Sequence, residues 1–214
     1  MKAKDKIKWI VSTGVFCAFA YALTNLGNLI PVRFAGFLSF DPKDVAIVIA
    51  GFALGPWASV AISVIVSFIE MLTISSTGII GFIMNVLSSI CYALIPSLMY
   101  KKLRTFKSAL FALTISSVLT VVVMLLWNYL ITPLYMHVPR EAVADMLLPV
   151  FLPFNALKCL MNTVIVAVFY KPIVKVLRRI KLLPRKKQPV LTPAPKPPRI
   201  IACNEYISYK KSHS

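Results

Sequence analysis

The sequence predicts an all-α integral membrane protein with six transmembrane helices and both termini on the cytoplasmic side. Of its 214 residues, 58% are hydrophobic and 14% are charged, whereas a soluble domain is nearer half apolar and a quarter charged. Apolar runs long enough to cross a bilayer follow one another up to about residue 180. A chain in lipid has to satisfy its own backbone hydrogen bonds, which favours helices.

The distribution of basic residues predicts the orientation. Lys and Arg concentrate before the first helix, in the segment KKLRTFK at 101–107, and after the last helix. Such clusters mark cytoplasmic segments, and they alternate with segments that contain few basic residues. The net charge of +17 therefore reflects topology, with attraction to the anionic heads of the lipid bilayer. This pattern argues against nucleic-acid binding.

Turn-forming residues separate the helices. Pro31 is expected to end the first helix, Gly55–Pro56 the short second one, Ser76–Gly78 the third and Pro133 the fifth. Residues 134–148 are expected to form an outer loop. The six predicted helices are 7–30, 44–54, 57–75, 79–100, 108–131 and 149–180.

Two regions follow from this assignment. Residues 1–180 form the six-helix membrane domain. Residues 181–214 are basic and rich in proline, and we expect a disordered cytoplasmic tail.

The sixth helix carries an unusual polar face. Phe151, Asn155, Lys158 and Asn162 recur at helical spacing and share one side. A Lys costs about 3 kcal/mol or more at the centre of a bilayer. This cost is tolerated when the ammonium group has a partner or a ligand, so Lys158 and Asn155 are candidates for a binding site.

Other helices add polar residues at the same depth. Gly81 and Asn85 share a face of the fourth helix, Asn128 lies near the outer end of the fifth, and Glu70 lies on the third. With the predicted orientation these residues lie in the middle or outer part of the membrane, which indicates a site that opens outward. Two structural alternatives remain: the asparagines bond to neighbouring helices, or Glu70 and Lys158 neutralise each other.

The chemistry of these groups limits the ligand. Asn provides donors and an acceptor, and Lys provides donors only. This set suits a flat molecule with several acceptor atoms and an N–H group, and surrounding aromatic rings offer stacking surface. The cysteines lack metal-ligand spacing, and no phosphate-binding glycine motif or catalytic motif is present. We expect a protein that is not an enzyme, binds no metal, and needs a partner or an ion gradient for driven transport.

The first helix carries a stripe of small residues. Gly14, Ala18 and Ala22 recur every fourth residue, a pattern that permits close helix approach. The stripe either packs inside the bundle or docks a partner subunit.

Three stretches resemble a known family. They are FDPKDV at 40–45, GFIMN at 81–85, and LWNYLITPLY at 126–135 taken together with PFNALK at 153–158. The chain resembles the substrate-binding S components of energy-coupling factor (ECF) vitamin transporters, and among them the riboflavin-specific members, over about residues 7–180.

The resemblance implies a function and a site. It implies capture of riboflavin as the transported ligand, with no separate cofactor, in the plasma membrane of a bacterium. Asn128, Asn155 and Lys158 match the positions that contact the flavin ring. The other implied substrate-binding residues are Phe40, Asp41, Gly81 and Asn85.

The resemblance also implies partners. A membrane-embedded T component would meet the stripe of Gly14, Ala18 and Ala22, and two ATPase subunits would complete the transporter.

Three alternatives stay open. In the first, the ligand is another vitamin, such as biotin or pantothenate, whose carboxylate pairs with Lys158. In the second, the protein is an ion-coupled secondary carrier in which Glu70 and Lys158 titrate as a pair. In the third, the protein is a membrane scaffold that binds no ligand.

Overall fold

Helices form almost all of the part of the chain that the structure describes, as its long apolar runs require. The computed structural model describes residues 3–29, 33–34, 38–39, 41–75 and 77–179. The helices are α1 (Ala3–Leu29), α2 (Lys43–Leu54), α3 (Pro56–Thr73), α4 (Gly78–Leu103), α5 (Phe106–Met136), α6 (Arg140–Met146) and α7 (Leu152–Arg179), with a π-helical turn at Leu147–Phe151 between the last two. The predicted tail at 181–214 lies outside the described residues.

Two short strands lie between α1 and α2. Strand β1 (Arg33–Phe34) pairs antiparallel with β2 (Leu38–Ser39), with Arg33 opposite Ser39. This hairpin connects α1 to α2 at the end of the bundle away from the N terminus.

Five segments of the described chain are long and apolar enough to cross a membrane. They are Asp5–Asn28, Pro56–Thr73, Gly78–Leu103, Phe106–Leu134 and Arg140–Val176. Large apolar side chains such as Val118, Val168 and Leu160 remain exposed on these helices. This exposure is what lipid-facing surfaces of a multi-pass membrane protein require.

Five of the six predicted transmembrane helices correspond to these candidate segments, and α2, which corresponds to the predicted second helix, differs from the rest. It has 12 residues, which at 1.5 Å per residue is about 18 Å of helix, short of the bilayer core. Its residues from Lys43 to Phe52 are buried on every side. Since its sequence is apolar without a polar face, α2 forms the centre of the bundle and is enclosed by its neighbours.

A close approach between helices fixes α2 in place. A Cβ atom on Gly51 would lie 1.8 Å from the Oγ of Ser97 on α4. The Ser97 hydroxyl also donates to the carbonyl of Ala93 at 2.6 Å. Glycine is therefore required where α2 and α4 meet.

Aromatic rings close the core at the end that carries the N terminus. Phe52 of α2 lies 4.4 Å from the ring centroid of Tyr100 and 6.2 Å from that of Tyr170. The Tyr170 hydroxyl donates to the Tyr100 hydroxyl at 3.2 Å. Phe106 adds a ring 5.1 Å from Tyr170, so this cluster joins α2, α4, α5 and α7.

The expected outer loop at 134–148 was wrong. Pro133 lies inside α5, which continues to Met136, and the chain is helical again from Arg140. Proline is tolerated within membrane helices because neighbouring groups compensate for its missing N–H. The last membrane segment therefore begins at Arg140, not at residue 149, and reaches α7 through the π-helical turn.

Candidate functional site

A buried lysine organises the end of the bundle opposite the N terminus. Lys43, the first residue of α2, is fully buried, and its ammonium group contacts the carboxylate of Glu70 on α3. Its Nζ also lies 2.6 Å from Oδ2 of Asp41. The hydroxyl of Thr24 on α1 lies 2.7 Å from Oε1 of Glu70 and 3.1 Å from Oδ1 of Asp41. This contact set ties α1 and α3 to the start of α2.

A third ion pair lies beside the two that Lys43 makes. The Nζ atom of Lys158 on α7 lies 3.4 Å from Oδ2 of Asp44 on α2. The Ser89 hydroxyl donates to Oδ1 of Asp44 at 2.6 Å, and the Asn162 amide donates to Oδ2 at 3.5 Å. The side chain of Lys158 is 12% exposed and that of Asp44 is 2% exposed. The cost of a lysine in the membrane is thus offset by a carboxylate that is itself hydrogen-bonded.

Three ion pairs, two of which share Lys43, define what we call the ionic cluster. Its members are Asp41, Lys43, Asp44, Glu70 and Lys158. Three carboxyl groups face two ammonium groups, so the fully ionised cluster carries an excess negative charge. An additional hydrogen-bond donor is therefore favoured there over an additional anion.

Asp41 lies outside the helices, at the edge of the cluster. Burial of its carboxyl group raises its pKa. The charges of Lys43 and Lys158, together with the hydrogen bonds from Lys43, lower the pKa by more than burial raises it, so the pKa of Asp41 lies below its ordinary value. Asp41 is thus held in its charged form by the cluster.

The alternative in which Glu70 and Lys158 neutralise each other was wrong. Glu70 pairs with Lys43, and Lys158 pairs with Asp44. The sequence placed Lys43 in a loop, but it begins α2 inside the bundle. The helix packing therefore supplies each group with a nearer partner.

Asn85 belongs to the same region. Its amide nitrogen lies 3.4 Å from Oε2 of Glu70. The structure thus brings Asp41, Asn85 and Lys158, three of the predicted substrate-binding residues, to the ionic cluster.

Asn128 and Asn155 are buried, and their described hydrogen bonds stay within their own helices. The Asn128 amide donates to the carbonyl of Met124 at 2.7 Å and accepts from the Thr132 hydroxyl at 3.0 Å. The Asn155 amide donates to the carbonyl of Phe151 at 2.8 Å. These bonds fix each side chain against its own helix and do not themselves join it to Lys158.

The polar face predicted for the last helix is present. Phe151, Asn155 and Asn162 are buried, and Lys158 lies on the same side, directed at Asp44. Within the described residues, Oδ1 of Asn162 and Nε1 of Trp127 are buried without a hydrogen-bond partner. Buried polar atoms of this kind are uncommon and call for a partner.

Two further predicted residues have different outcomes. Gly81 is buried near the start of α4, where a Cβ atom would lie 1.9 Å from Oγ1 of Thr77. Its glycine identity is therefore explained by the local turn. Phe40 lies outside the described residues.

The sequence reasoning missed Lys43, Asp44 and Ser89 as members of the site. The signal for the first two was present in FDPKDV, where charged residues lead directly into a helix that has no polar face. A helix of that composition is buried all round, so charges in its first turn need partners from other helices.

The small-residue stripe lies on the surface. Gly14, Ala18 and Ala22 are all exposed, and no described atom outside the neighbouring residues of α1 lies within 4 Å of a Cβ built on Gly14. The alternative in which the stripe packs inside the bundle is therefore wrong.

Two cavities lie away from the ionic cluster. One of about 490 Å³ lies between α5 and α7, along Val118, Val122 and Leu160. The other, of about 620 Å³, lies at the end that carries the N terminus. The ionic cluster lines neither of these two, and its side chains are bonded to one another.

Residues 8–170 match the family model described as the substrate-specific component of the ECF transporter. The chain belongs to this family. The resemblance seen in the sequence is thereby confirmed, and the protein is a component of a membrane transporter. The chain is also 26% identical over 179 residues to the riboflavin transporter RibU of Staphylococcus aureus (strain TCH60), covering 81% of this chain and 94% of that protein.

The fold agrees with a solved structure. The S component of a bacterial ECF transporter superposes with a TM-score of 0.68 at 22% identity, covering 81% of this chain and 99% of the other. This similarity confirms the S-component fold.

Proposed function

We propose that this ECF substrate-specific component captures riboflavin at the end of the bundle that holds the ionic cluster. The observation that carries the proposal is the similarity to RibU over 94% of that relative's length. The three residues that resemble flavin-contacting positions, Asn128, Asn155 and Lys158, have side chains that are largely buried.

The polar groups at this end suit a neutral, flat ligand. A flavin ring has carbonyl oxygens and ring nitrogens that accept hydrogen bonds, and one N–H that donates. Lys158 and the asparagine amides supply donors, and Oδ1 of Asn162 is a buried acceptor with no partner among the described residues. Binding requires some of these groups to give up hydrogen bonds to one another and to form hydrogen bonds to the ligand. This exchange costs little free energy when the total number of hydrogen bonds stays the same.

The charge of the cluster disfavours the alternative of a carboxylate vitamin. Lys158 already faces Asp44 at 3.4 Å, and the cluster has more carboxyl than ammonium groups. A ligand carboxylate would add a like charge in a buried site, which is costly. Biotin and pantothenate are therefore poorer candidates than riboflavin.

Transport requires other subunits in this proposal. The sequence has no phosphate-binding glycine motif, so ATP would be hydrolysed by two ATPase subunits joined through a T component. The exposed stripe of Gly14, Ala18 and Ala22 is the proposed contact with the T component, since small residues allow close helix approach. By the positive-inside rule, the end of the bundle that holds the ionic cluster would face outward, and the end with the basic segments would face the cytoplasm of a bacterium.

The absorption spectrum of protein purified from its host tests this function. A retained flavin would make the preparation yellow with the two visible-region bands of an oxidised flavin. Protein that is colourless, and stays colourless after incubation with riboflavin and removal of free ligand, would contradict the proposal. A separate uptake assay in cells with and without the ATPase subunits tests the driving force, because an ion-coupled carrier would retain uptake without them.

A further inference from the structure

A basic cavity lies at the end of the bundle far from the ionic cluster. Its volume is about 620 Å³, within the range of small-molecule sites. The walls come from the start of α1, the end of α2, the start of α3 and the end of α4. The proposed riboflavin site lies at the opposite end of the bundle, so the cavity is separate from that site.

The cavity has the charge of an anion-binding site. Lys6, Lys101 and Arg104 line it, and its described lining includes no carboxylate. Helix α3 also begins at its wall, with Pro56 in the first turn after Gly55. The positive end of a helix dipole favours an anion at this position. Three cationic side chains and a helix N-terminus thus converge on one space.

The rest of the cavity wall is mostly apolar, and part of it is exposed on the surface of the protein. Phe52 and Leu54 line the interior. Ile10 and Trp57 line the cavity as well, and they are 62% and 78% exposed. Trp beside Lys and Arg is typical of the membrane–water interface. A molecule in this cavity therefore meets both positive charge and an exposed apolar surface.

We propose that this cavity binds an anionic phospholipid, with the phosphate between Lys6, Lys101 and Arg104 and the acyl chains along Ile10 and Trp57. The combination of an anion and a long apolar part matches a phospholipid, because basic pockets between membrane helices on the cytoplasmic side bind such headgroups. A soluble phosphate would not use the apolar wall. An acidic protein segment would not need the exposed path along Ile10 and Trp57.

Retention of phosphatidylglycerol by the purified full-length protein tests the proposal. The cavity variant is Lys101→Gln/Arg104→Gln. Its matched control is Lys102→Gln/Lys107→Gln, which removes the same charge from the same segment at exposed residues that do not line the cavity. Native mass spectrometry measures bound lipid across a titration, and phosphatidylcholine serves as the zwitterionic comparison. Thermal unfolding checks that both variants remain folded.

We expect the wild type and the control to prefer phosphatidylglycerol over phosphatidylcholine. The cavity variant should bind phosphatidylglycerol about thirty-fold more weakly, since each of the two cationic side chains near an anionic lipid contributes about fivefold. An equal loss in both variants, or no preference in the wild type, would overturn the proposal. Weaker assembly of the cavity variant with a T component, with lipid retention unchanged, would also overturn it and assign the cavity to a protein contact.

Discussion

Lys158 on α7 and Asp44 on α2 form an ion pair across the bundle, with 3.4 Å between Nζ and Oδ2. The pair joins a helix near the end of the chain to the enclosed central helix. It explains how a lysine is retained in an apolar helix, and it places the ammonium group beside the asparagines of α7. Substitutions at both residues therefore distinguish a structural from a ligand-binding role.

The first prediction concerns Asp44→Asn. The change removes the carboxylate that neutralises Lys158, and it leaves a buried charge without its partner. We expect the free energy of unfolding to fall by about 3 kcal/mol, the lower end for a broken buried pair. Thermal unfolding in detergent measures the effect. The control is Asp145→Asn, which changes an exposed acid on α6 and should leave stability unchanged.

The double variant Asp44→Asn/Lys158→Met completes this experiment. Because it removes both charges, it should recover most of the lost stability. Equal instability of the single and double variants would show that Asp44 acts through Ser89 and Asn162 rather than through Lys158.

The second prediction concerns Glu70→Gln. Lys43 keeps Asp41 as a partner, and the Gln carbonyl still accepts a hydrogen bond. We therefore expect a loss of about 1.5–3 kcal/mol in stability, as for a hydrogen bond that loses its charge. Riboflavin uptake driven by the ATPase subunits should persist in proportion to the folded protein. Exposed Glu141→Gln serves as the control.

Uptake separates this expectation from ion-coupled transport. A carrier that moves a proton on Glu70 would lose uptake completely in Glu70→Gln, even where the variant is folded and binds ligand. That outcome would favour the carrier over the ECF mechanism.

The third prediction concerns pH. The pKa of Asp41 is lowered in the folded protein, so its contribution to stability is present above its unfolded pKa, about 3.9. That contribution is lost as the pH falls through the lower, folded pKa. We expect the melting temperature to drop below about pH 4, and Asp41→Asn to reduce this drop while lowering stability at neutral pH. An identical pH profile in the variant would show that Asp41 does not titrate with folding.

The fourth prediction concerns the small-residue stripe. Ala18→Trp places a large side chain on the exposed face of α1, and a close helix contact there would be lost. We expect weaker assembly with a T component, measured by co-purification, and unchanged riboflavin binding. Ile115→Trp, which adds the same side chain to the exposed surface of α5, is the control. Normal assembly of the Ala18→Trp variant would show that the stripe does not form the contact with the T component.

The helices could be predicted from the sequence because long apolar runs and turn residues determine them. The helix break expected at Ser76–Gly78 agrees with the end of α3 at Thr73 and the start of α4 at Gly78. Pro133 misled the prediction, since proline ends helices in water but is accommodated within α5. The short length of α2 was visible in the sequence, but its position at the centre of the bundle depends on contacts from four other helices.

The site was predictable in part. The inward face of α7 followed from helical spacing, because that periodicity is local. The partners of Lys158 and Glu70 could not be predicted in this way, since each partner depends on packing between helices that are distant in the chain. Lys43 shows the limit: it stands next to a proline in a loop-like segment, and only the fold shows that its ammonium group is enclosed by Glu70 and Asp41.

Riboflavin titration of wild-type protein and of Lys158→Met tests the central claim most directly. Fluorescence of riboflavin should be quenched on binding to the wild type, since we expect its ring to stack on aromatic side chains. Lys158→Met should weaken binding by about 1.5–3 kcal/mol, the contribution of a hydrogen bond from a charged group, with Lys175→Met, an exposed lysine on the same helix, as the control. Absence of quenching at micromolar wild-type protein, or equal affinity of the wild type and Lys158→Met, would contradict the proposed site.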